Sequence, residues 1–141
     1  MDFACPNNVV FECCKCGLCC GDTNQKIRHI LLLESEAKVI SAKTCLAQEA
    51  FSKQIVNKKP YCHEMKKNND CKCFFLKNNQ CSIYELRPLI CRFYPFELKF
   101  DSDKDQYVFN FTLECPGITK GSLITRKDFE ELFSLAQQRL S

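Results

Sequence analysis

Tryptophan is absent from the 141 residues, and glycine (4), proline (5), methionine (2) and histidine (2) are scarce. Each shortage narrows the options. With so little glycine there is no G-x-G-x-x-G turn and no phosphate loop, so a Rossmann-type nucleotide or methyl-donor site has no support. A histidine-based centre is confined to His29 and His63. No window approaches the ~18 consecutive apolar residues of a membrane-spanning helix. The opening Met1-Asp2-Phe3-Ala4-Cys5-Pro6 lacks the basic and apolar regions of a secretory signal. We therefore expect a cytoplasmic chain with no membrane partner, whose thiols are kept reduced. Charge of one sign is also lacking. The net charge is +3, and the basic pairs Lys58-Lys59 and Lys66-Lys67 are short. Without a basic arm, nothing favours a nucleic-acid partner.

Cysteine is what the chain has in excess: 13 residues, about 9% of the total and well above ordinary usage. The hydrophobic fraction of 45% counts these cysteines. Without them about 36% remains for ordinary packing, below the ~45–50% of a typical domain. An odd number cannot close wholly into internal disulfides. The length fits one domain, and we expect a single α+β domain over residues 1–141, with short antiparallel strands and a few helices organised around cysteine metal sites. In a reducing compartment, dense cysteine at fixed spacing points to metal rather than to disulfides. A disulfide framework is the alternative for an exported chain.

The local pattern supports this mixed class. Ile27 to Leu33 is an apolar run suited to a buried strand. Glu34 to Val56 favours helix, with a break expected at Ser41–Thr44. A polar stretch, Asn57 to Asp70, carries Cys62 and His63. Phe74-Phe75-Leu76, the turn Lys77-Asn78-Asn79-Gln80 and Cys81-Ser82-Ile83-Tyr84 read as a hairpin. Arg87-Pro88 opens a short helix, which Pro95 ends. Phe96–Phe100 and Tyr107–Thr112 read as an antiparallel pair joined by an acidic turn. Thr125 and Asp128 form a capping-box-like start. Phe129, Leu132, Phe133, Ala136 and Leu140 then mark one helical face.

Three cysteine motifs carry the chemistry. Cys13-Cys14-Lys15-Cys16-Gly17-Leu18-Cys19-Cys20 reduces to C-x-x-C-G-x-C-C. Two residues between cysteines let a tight turn aim both sulfurs at one metal, and Gly17 permits backbone angles a side chain would resist. Between residues 71 and 96 lie Cys71-Lys72-Cys73-Phe74-Phe75-Leu76, Cys81-Ser82-Ile83-Tyr84 and Arg87-Pro88 followed by Cys91-Arg92-Phe93-Tyr94-Pro95-Phe96. Cys115-Pro116-Gly117 is the third. Thiolates are soft ligands that select zinc or iron–sulfur clusters. Cys13, Cys16 and Cys19 match the start of a bacterial ferredoxin run, but position 23 is Thr where its fourth cysteine belongs. The same Thr23 breaks the C-x-x-x-C-x-x-C pattern of radical S-adenosylmethionine enzymes.

The string C-x-x-C-G-x-C-C, C-x-x-L, C-x-I-Y-x-x-R-P-x-x-C-R-x-Y-P-F and C-P, spanning residues 13 to 117, resembles the YkgJ-type cysteine-cluster family, whose members are regarded as zinc- or iron-chelating. The resemblance implies metal ligands at Cys13, Cys16, Cys19, Cys20, Cys73, Cys81, Cys91 and Cys115. Eight thiolates suit two Cys₄ sites. One division puts Cys13, Cys16, Cys19 and Cys115 together, and Cys20, Cys73, Cys81 and Cys91 together. A single site with leftover thiols is the alternative.

Cys5, Cys14, Cys45, Cys62 and Cys71 lie outside the pattern and read as buried apolar thiols. The cofactor expected is an iron–sulfur cluster, of the 4Fe-4S kind, one or two per chain, with zinc as the alternative. Phe74, Phe75, Tyr84, Phe93, Tyr94 and Phe96 interleave the later cysteines, as cluster shielding or as ordinary core. Arg87 and Arg92 either donate toward cluster sulfurs or pair with Glu85, Glu97 or backbone carbonyls. The function expected is metal binding in electron transfer or cluster-linked chemistry, with a protein or redox partner. A structural zinc module is one alternative. Another is a small modification enzyme, since a larger flagellin lysine methylase is similar in its cysteine cluster. Cys62-His63 reads as an added ligand or a catalytic pair only if the two side chains face one another.

Overall fold

The computed structural model describes residues 3–13, 20–23 and 26–140. In chain order its strands and helices are β1 (Phe3–Ala4), β2 (Val10–Phe11), β3 (Leu31–Leu32), α1 (Glu34–Thr44), α2 (Gln48–Phe51), β4 (Ser52–Gln54), β5 (His63–Met65), β6 (Leu76–Lys77), β7 (Gln80–Cys81), α3 (Leu89–Phe93), β8 (Phe96–Asp101), β9 (Gln106–Phe111), β10 (Ser122–Leu123) and α4 (Arg126–Leu140). The class is α+β, as expected. The elements fall into two compact units, residues 17–92 and residues 1–16 with 93–141.

In the unit of the two termini, β8 and β9 pair antiparallel with Phe96 opposite Phe111, Leu98 opposite Phe109 and Phe100 opposite Tyr107. The alternation of the sequence therefore puts six apolar side chains on one face. The acidic turn closes because Asp103 N–H donates to Asp101 Oδ1 at 3.0 Å and Asp105 takes a φ of 51°, which Asp tolerates better than most residues. Helix α4 begins as its sequence predicts: Thr125 N–H donates to Asp128 Oδ2 at 2.8 Å and Asp128 N–H to Thr125 Oγ1 at 3.3 Å. Phe129, Phe133 and Ala136 are buried, whereas Leu140, placed on the same stripe by spacing, is 42% exposed at the fraying last residue. Phe129 packs on Phe96 and Phe109 with ring centroids 5.0 and 4.9 Å apart. Strand β1 joins the sheet parallel to β9. Its sequence carries no strand signal. It is held from the far end of the chain, where the Arg126 guanidinium lies 4.3 Å over the Phe3 ring and donates to the Phe3 carbonyl at 3.1 Å.

In the central unit, β3, β5 and β4 form an antiparallel sheet with β5 in the middle. The polar stretch Asn57–Asp70 carries no strand pattern in its sequence. It supplies this central strand because His63 is buried against Glu34, with Nε2 to Oε2 at 2.5 Å. Only Leu31–Leu32 of the apolar run Ile27–Leu33 is strand; Ile27 is 64% exposed, and Arg28 N–H is taken by the Asp22 side chain at 2.8 Å. The helical segment breaks one residue later than expected, at Cys45, which is left-handed at φ 61°. Thr44 Oγ1 donates to the Ile40 carbonyl at 2.7 Å and Ser41 Oγ to the Leu46 carbonyl at 2.5 Å, the local competition that makes Ser and Thr poor helix residues. Helix α2 is a single turn, and residues 52–54 leave it as strand rather than extending helix to Val56. The expected hairpin forms with a tighter turn: Lys77 and Gln80, read as turn residues, pair as the ends of β6 and β7, and the strands do not extend over Phe74-Phe75 or Ser82–Tyr84. Asn78 and Asn79 both take positive φ, 52° and 60°, as a two-residue type I′ turn requires.

Ile30, Leu32, Ile40, Phe51, Met65 and Phe75 form the core of this unit together with Cys73 and Ile83. Burial raises the Tyr61 hydroxyl above its ordinary 10.0, and the Glu36 carboxylate adds to the shift. A folded-state value above the unfolded one gives stability that is present below pH 10 and lost as pH rises through the folded value. Tyr61→Phe should therefore remove a phenolate step above the ordinary tyrosine range in an alkaline absorbance titration, and flatten the alkaline fall in stability. In urea unfolding, Phe129→Ala should cost about 3–5 kcal/mol, and Leu140→Ala no more than about 0.5 kcal/mol.

Candidate metal centre

The segments on either side of residues 14–19 are each stitched to a remote cysteine segment. In the terminal unit, β2 pairs antiparallel with β10, and Glu12 N–H donates to the Gly117 carbonyl at 3.1 Å. A Cβ on Gly117 would sit 2.1 Å from the Glu12 carbonyl oxygen, so only glycine allows this approach. The contact brings Cys115-Pro116-Gly117 beside Glu12-Cys13. Cys115 is buried and Cys13 exposed.

In the central unit, Gly21 bridges to Lys72. Cys73 N–H donates to the Cys20 carbonyl at 2.5 Å, and Asp22 N–H to the Cys71 carbonyl at 3.0 Å. A Cβ on Gly21 would lie 2.7 Å from the Cys71 carbonyl oxygen. The Asp22 carboxylate secures the turn by accepting from Lys67 Nζ at 2.6 Å and from Arg28 N–H at 2.8 Å. The Lys67 hydrogen bond, then that of Arg28, hold the Asp22 carboxyl below its usual 3.8.

Four family-pattern cysteines meet one core. Cys73 is part of the buried cluster, and Cys20, Cys81 and Cys91 are half-buried against it. They arrive from four chain segments: the end of the cysteine-rich run, the entry to the hairpin, strand β7 and helix α3. Phe75 N–H donates to Cys73 Sγ at 3.4 Å, the kind of bond that stabilises a ligating sulfur. Cys91 is held through its own N–H, which donates to the Pro88 carbonyl at 3.0 Å. Of the predicted ligands, Cys16 and Cys19 lie outside the described residues, as does Cys14.

Several expectations are corrected. Cys45, Cys62 and Cys71 are exposed, and Cys5 is half-buried, so these are not buried apolar thiols. Cys45 and Cys71 occupy left-handed turn positions, φ 61° and 63°, which turn them out of the core. Cys62 and His63 do not form a reactive pair. Cys62 Sγ lies near the Pro60 carbonyl, while buried His63 points to Glu34. His29 is paired with Glu64 at 2.9 Å. Arg92 donates to the carbonyls of Arg87 and Glu85 at 3.2 and 2.8 Å. Arg87 donates to the Tyr84 carbonyl and lies 3.8 Å over the Tyr84 ring. Both arginines thus make the backbone-carbonyl bonds that one of the two readings expects. Phe75 is core, and Phe93 and Phe96 pack in the terminal unit on Phe109 and Phe129. Spacing missed Gly21, Gly117 and Glu36, because a close approach or a buried cap depends on a partner far along the chain.

A family model described as "putative zinc- or iron-chelating domain", named for its CxxCxxCC motif, matches residues 12–116. The chain belongs to this family. Metal binding of the zinc or iron kind is thus its family property. The match begins beside Cys13 and ends beside Cys115, so it takes in both stitched segments. An uncharacterised protein of Methanocaldococcus jannaschii is 28% identical over 119 residues, covering 82% of this chain and 62% of that relative. The chain spans about three-fifths of that relative's length. No solved structure matches. Among the described residues, no three His, Cys, Asp or Glu side chains form a group able to hold a metal ion, and no helix is long and apolar enough to cross a membrane.

The donor chemistry fits a soft metal: a buried cysteine with an N–H aimed at its sulfur, three half-buried cysteines on the same core, and further thiols in the adjoining run. Gly117→Ala should destabilise the chain by about 1–3 kcal/mol, the usual cost of overpacking, in urea unfolding. Metal analysis of the same variant should show loss of bound metal if the Glu12–Gly117 approach is needed to bring Cys115 to it.

Proposed function

We propose that the chain is an iron–sulfur protein of the electron-transfer kind, with Cys20, Cys73, Cys81 and Cys91 as one ligand set and Cys13, Cys16, Cys19 and Cys115 as the other. The observation that carries this reading is the packing of Cys20, Cys73, Cys81 and Cys91 against one buried core; as described no three of them form a metal-holding group, so ligation would have to draw their sulfurs together. Cys13 and Cys115 are stitched within one unit, which supports placing those two in the same set. Neighbouring side chains along an extended chain point to opposite sides, so this reading assigns Cys19 and Cys20 to different sets.

A bound cluster would supply a reversible one-electron step, which zinc lacks. The chain would supply the rest. Phe74 and Phe75, with ring centroids 5.0 Å apart, belong to the apolar surroundings of Cys73 and would keep water from the sulfurs. The Phe75 N–H offsets negative charge on Cys73. A redox partner protein would deliver or collect the electron.

Anaerobic purification should yield a brown protein with stoichiometric iron and sulfide and broad absorbance near roughly 400 nm. A colourless protein carrying only zinc would overturn the iron–sulfur assignment. Cys91→Ser should lose metal from one set and melt earlier. Chelation should destabilise the wild type, because metal-binding energy supplements a thin apolar core. Full metal content and unchanged melting in Cys91→Ser would remove Cys91 from the ligand set.

A further inference from the structure

Glu36 is a charged residue on α1 with only 7% of its surface exposed. Its carboxylate joins two helix starts. Oε1 accepts from Leu33 N–H at 2.9 Å, at the entry to α1. Oε2 accepts from Leu89 N–H at 2.6 Å, at the entry to α3. The first N–H groups of a helix have no partner inside it, and a carboxylate there is favoured by hydrogen bonding and by the helix dipole. The second contact is unusual in linking residues 53 apart. Helix α3 is only five residues long, so an anchor at Leu89 fixes the whole element, including Cys91 two residues on. Nothing in helix propensity would place so short a segment by itself.

We propose that Glu36 is a positioning residue for the metal site, holding Cys91 in place through the Leu89 amide. This rests on the thiolate reading proposed above. Glu36 touches no cysteine through the two bonds described; it fixes the turn that presents one. Glu34, two residues earlier, is spent on His63 and makes an internal control.

The test is site-resolved alkylation of cysteines, read by mass spectrometry. It uses the full chain purified anaerobically, and the same chain reconstituted with Zn²⁺. In wild type, Cys20, Cys73, Cys81 and Cys91 should be protected by metal. In Glu36→Leu neither the Leu33 nor the Leu89 N–H keeps a side-chain acceptor. Cys91 should then alkylate about 10- to 100-fold faster, the usual effect of losing a ligand's supporting partner. Cys13 and Cys115 should keep their wild-type rates, and Glu34→Gln should leave Cys91 protected. An unchanged Cys91 rate, or equal acceleration at every cysteine, would overturn the positioning role. A second measurement needs no variant. Coupling is reciprocal, so metal loading of wild type should slow hydrogen exchange at the Leu89 amide, and exchange indifferent to metal would sink the proposal. Wild-type cysteines unprotected in both preparations would instead sink the metal assignment itself.

Discussion

At Gly21 and at Gly117 the backbone comes so close to another segment of chain that a methyl group would strike a carbonyl oxygen. These two approaches decide where the remote cysteines go. One sets Cys73 against Cys20, and the other sets Cys115 beside Cys13. Both flank the densest run of cysteine, and both are closed by backbone hydrogen bonds. Placement by main-chain contact suits a chain whose apolar fraction is thin, because it positions sulfur without requiring a large core around it. The same geometry separates the cysteines by role. Those brought in by the approaches or by the hairpin and α3 pack on a core, whereas Cys45 and Cys71 sit at left-handed turns and face outward.

Buried polar groups do a second share of the positioning. Glu36 caps two helices, His63 is tied to Glu34, and Arg92 ties the carbonyls that precede α3. A buried carboxylate or imidazole without partners is costly, so each of these residues forces a specific neighbour into place. That is how a strand made of His63, Glu64 and Met65 comes to occupy the centre of a sheet, and how a five-residue helix acquires a defined orientation. The arginines that interrupt the cysteine motif contribute to this scaffold: both donate to main-chain oxygens of the loop that leads to Cys91.

Local structure was legible wherever the physics is local. The Asn78-Asn79 hairpin, the acidic turn between β8 and β9, and the Thr125–Asp128 start of α4 all follow from residues within a few positions of one another. Hydrophobic periodicity located the α4 face as far as Ala136. It failed at Ile27 and at Leu140 because burial depends on what packs opposite. β1 and β5 escaped notice for the same reason: their partners are Arg126 and β9 for one, Glu34 and two flanking strands for the other.

The amino-acid sequence alone determined the chemistry. Cysteine abundance and spacing, with scarce glycine and histidine, point to a soft-metal thiolate protein, and the motif string identifies the family. Only the tertiary structure decided which of the described cysteines share a core and which stay at the surface, and only it revealed Glu36 and the two glycine approaches. The reason is physical. Ligand identity is a property of one residue, whereas the packing of Cys20, Cys73, Cys81 and Cys91 against one core is set by contacts between segments about seventy residues apart, and no spacing rule reaches that far.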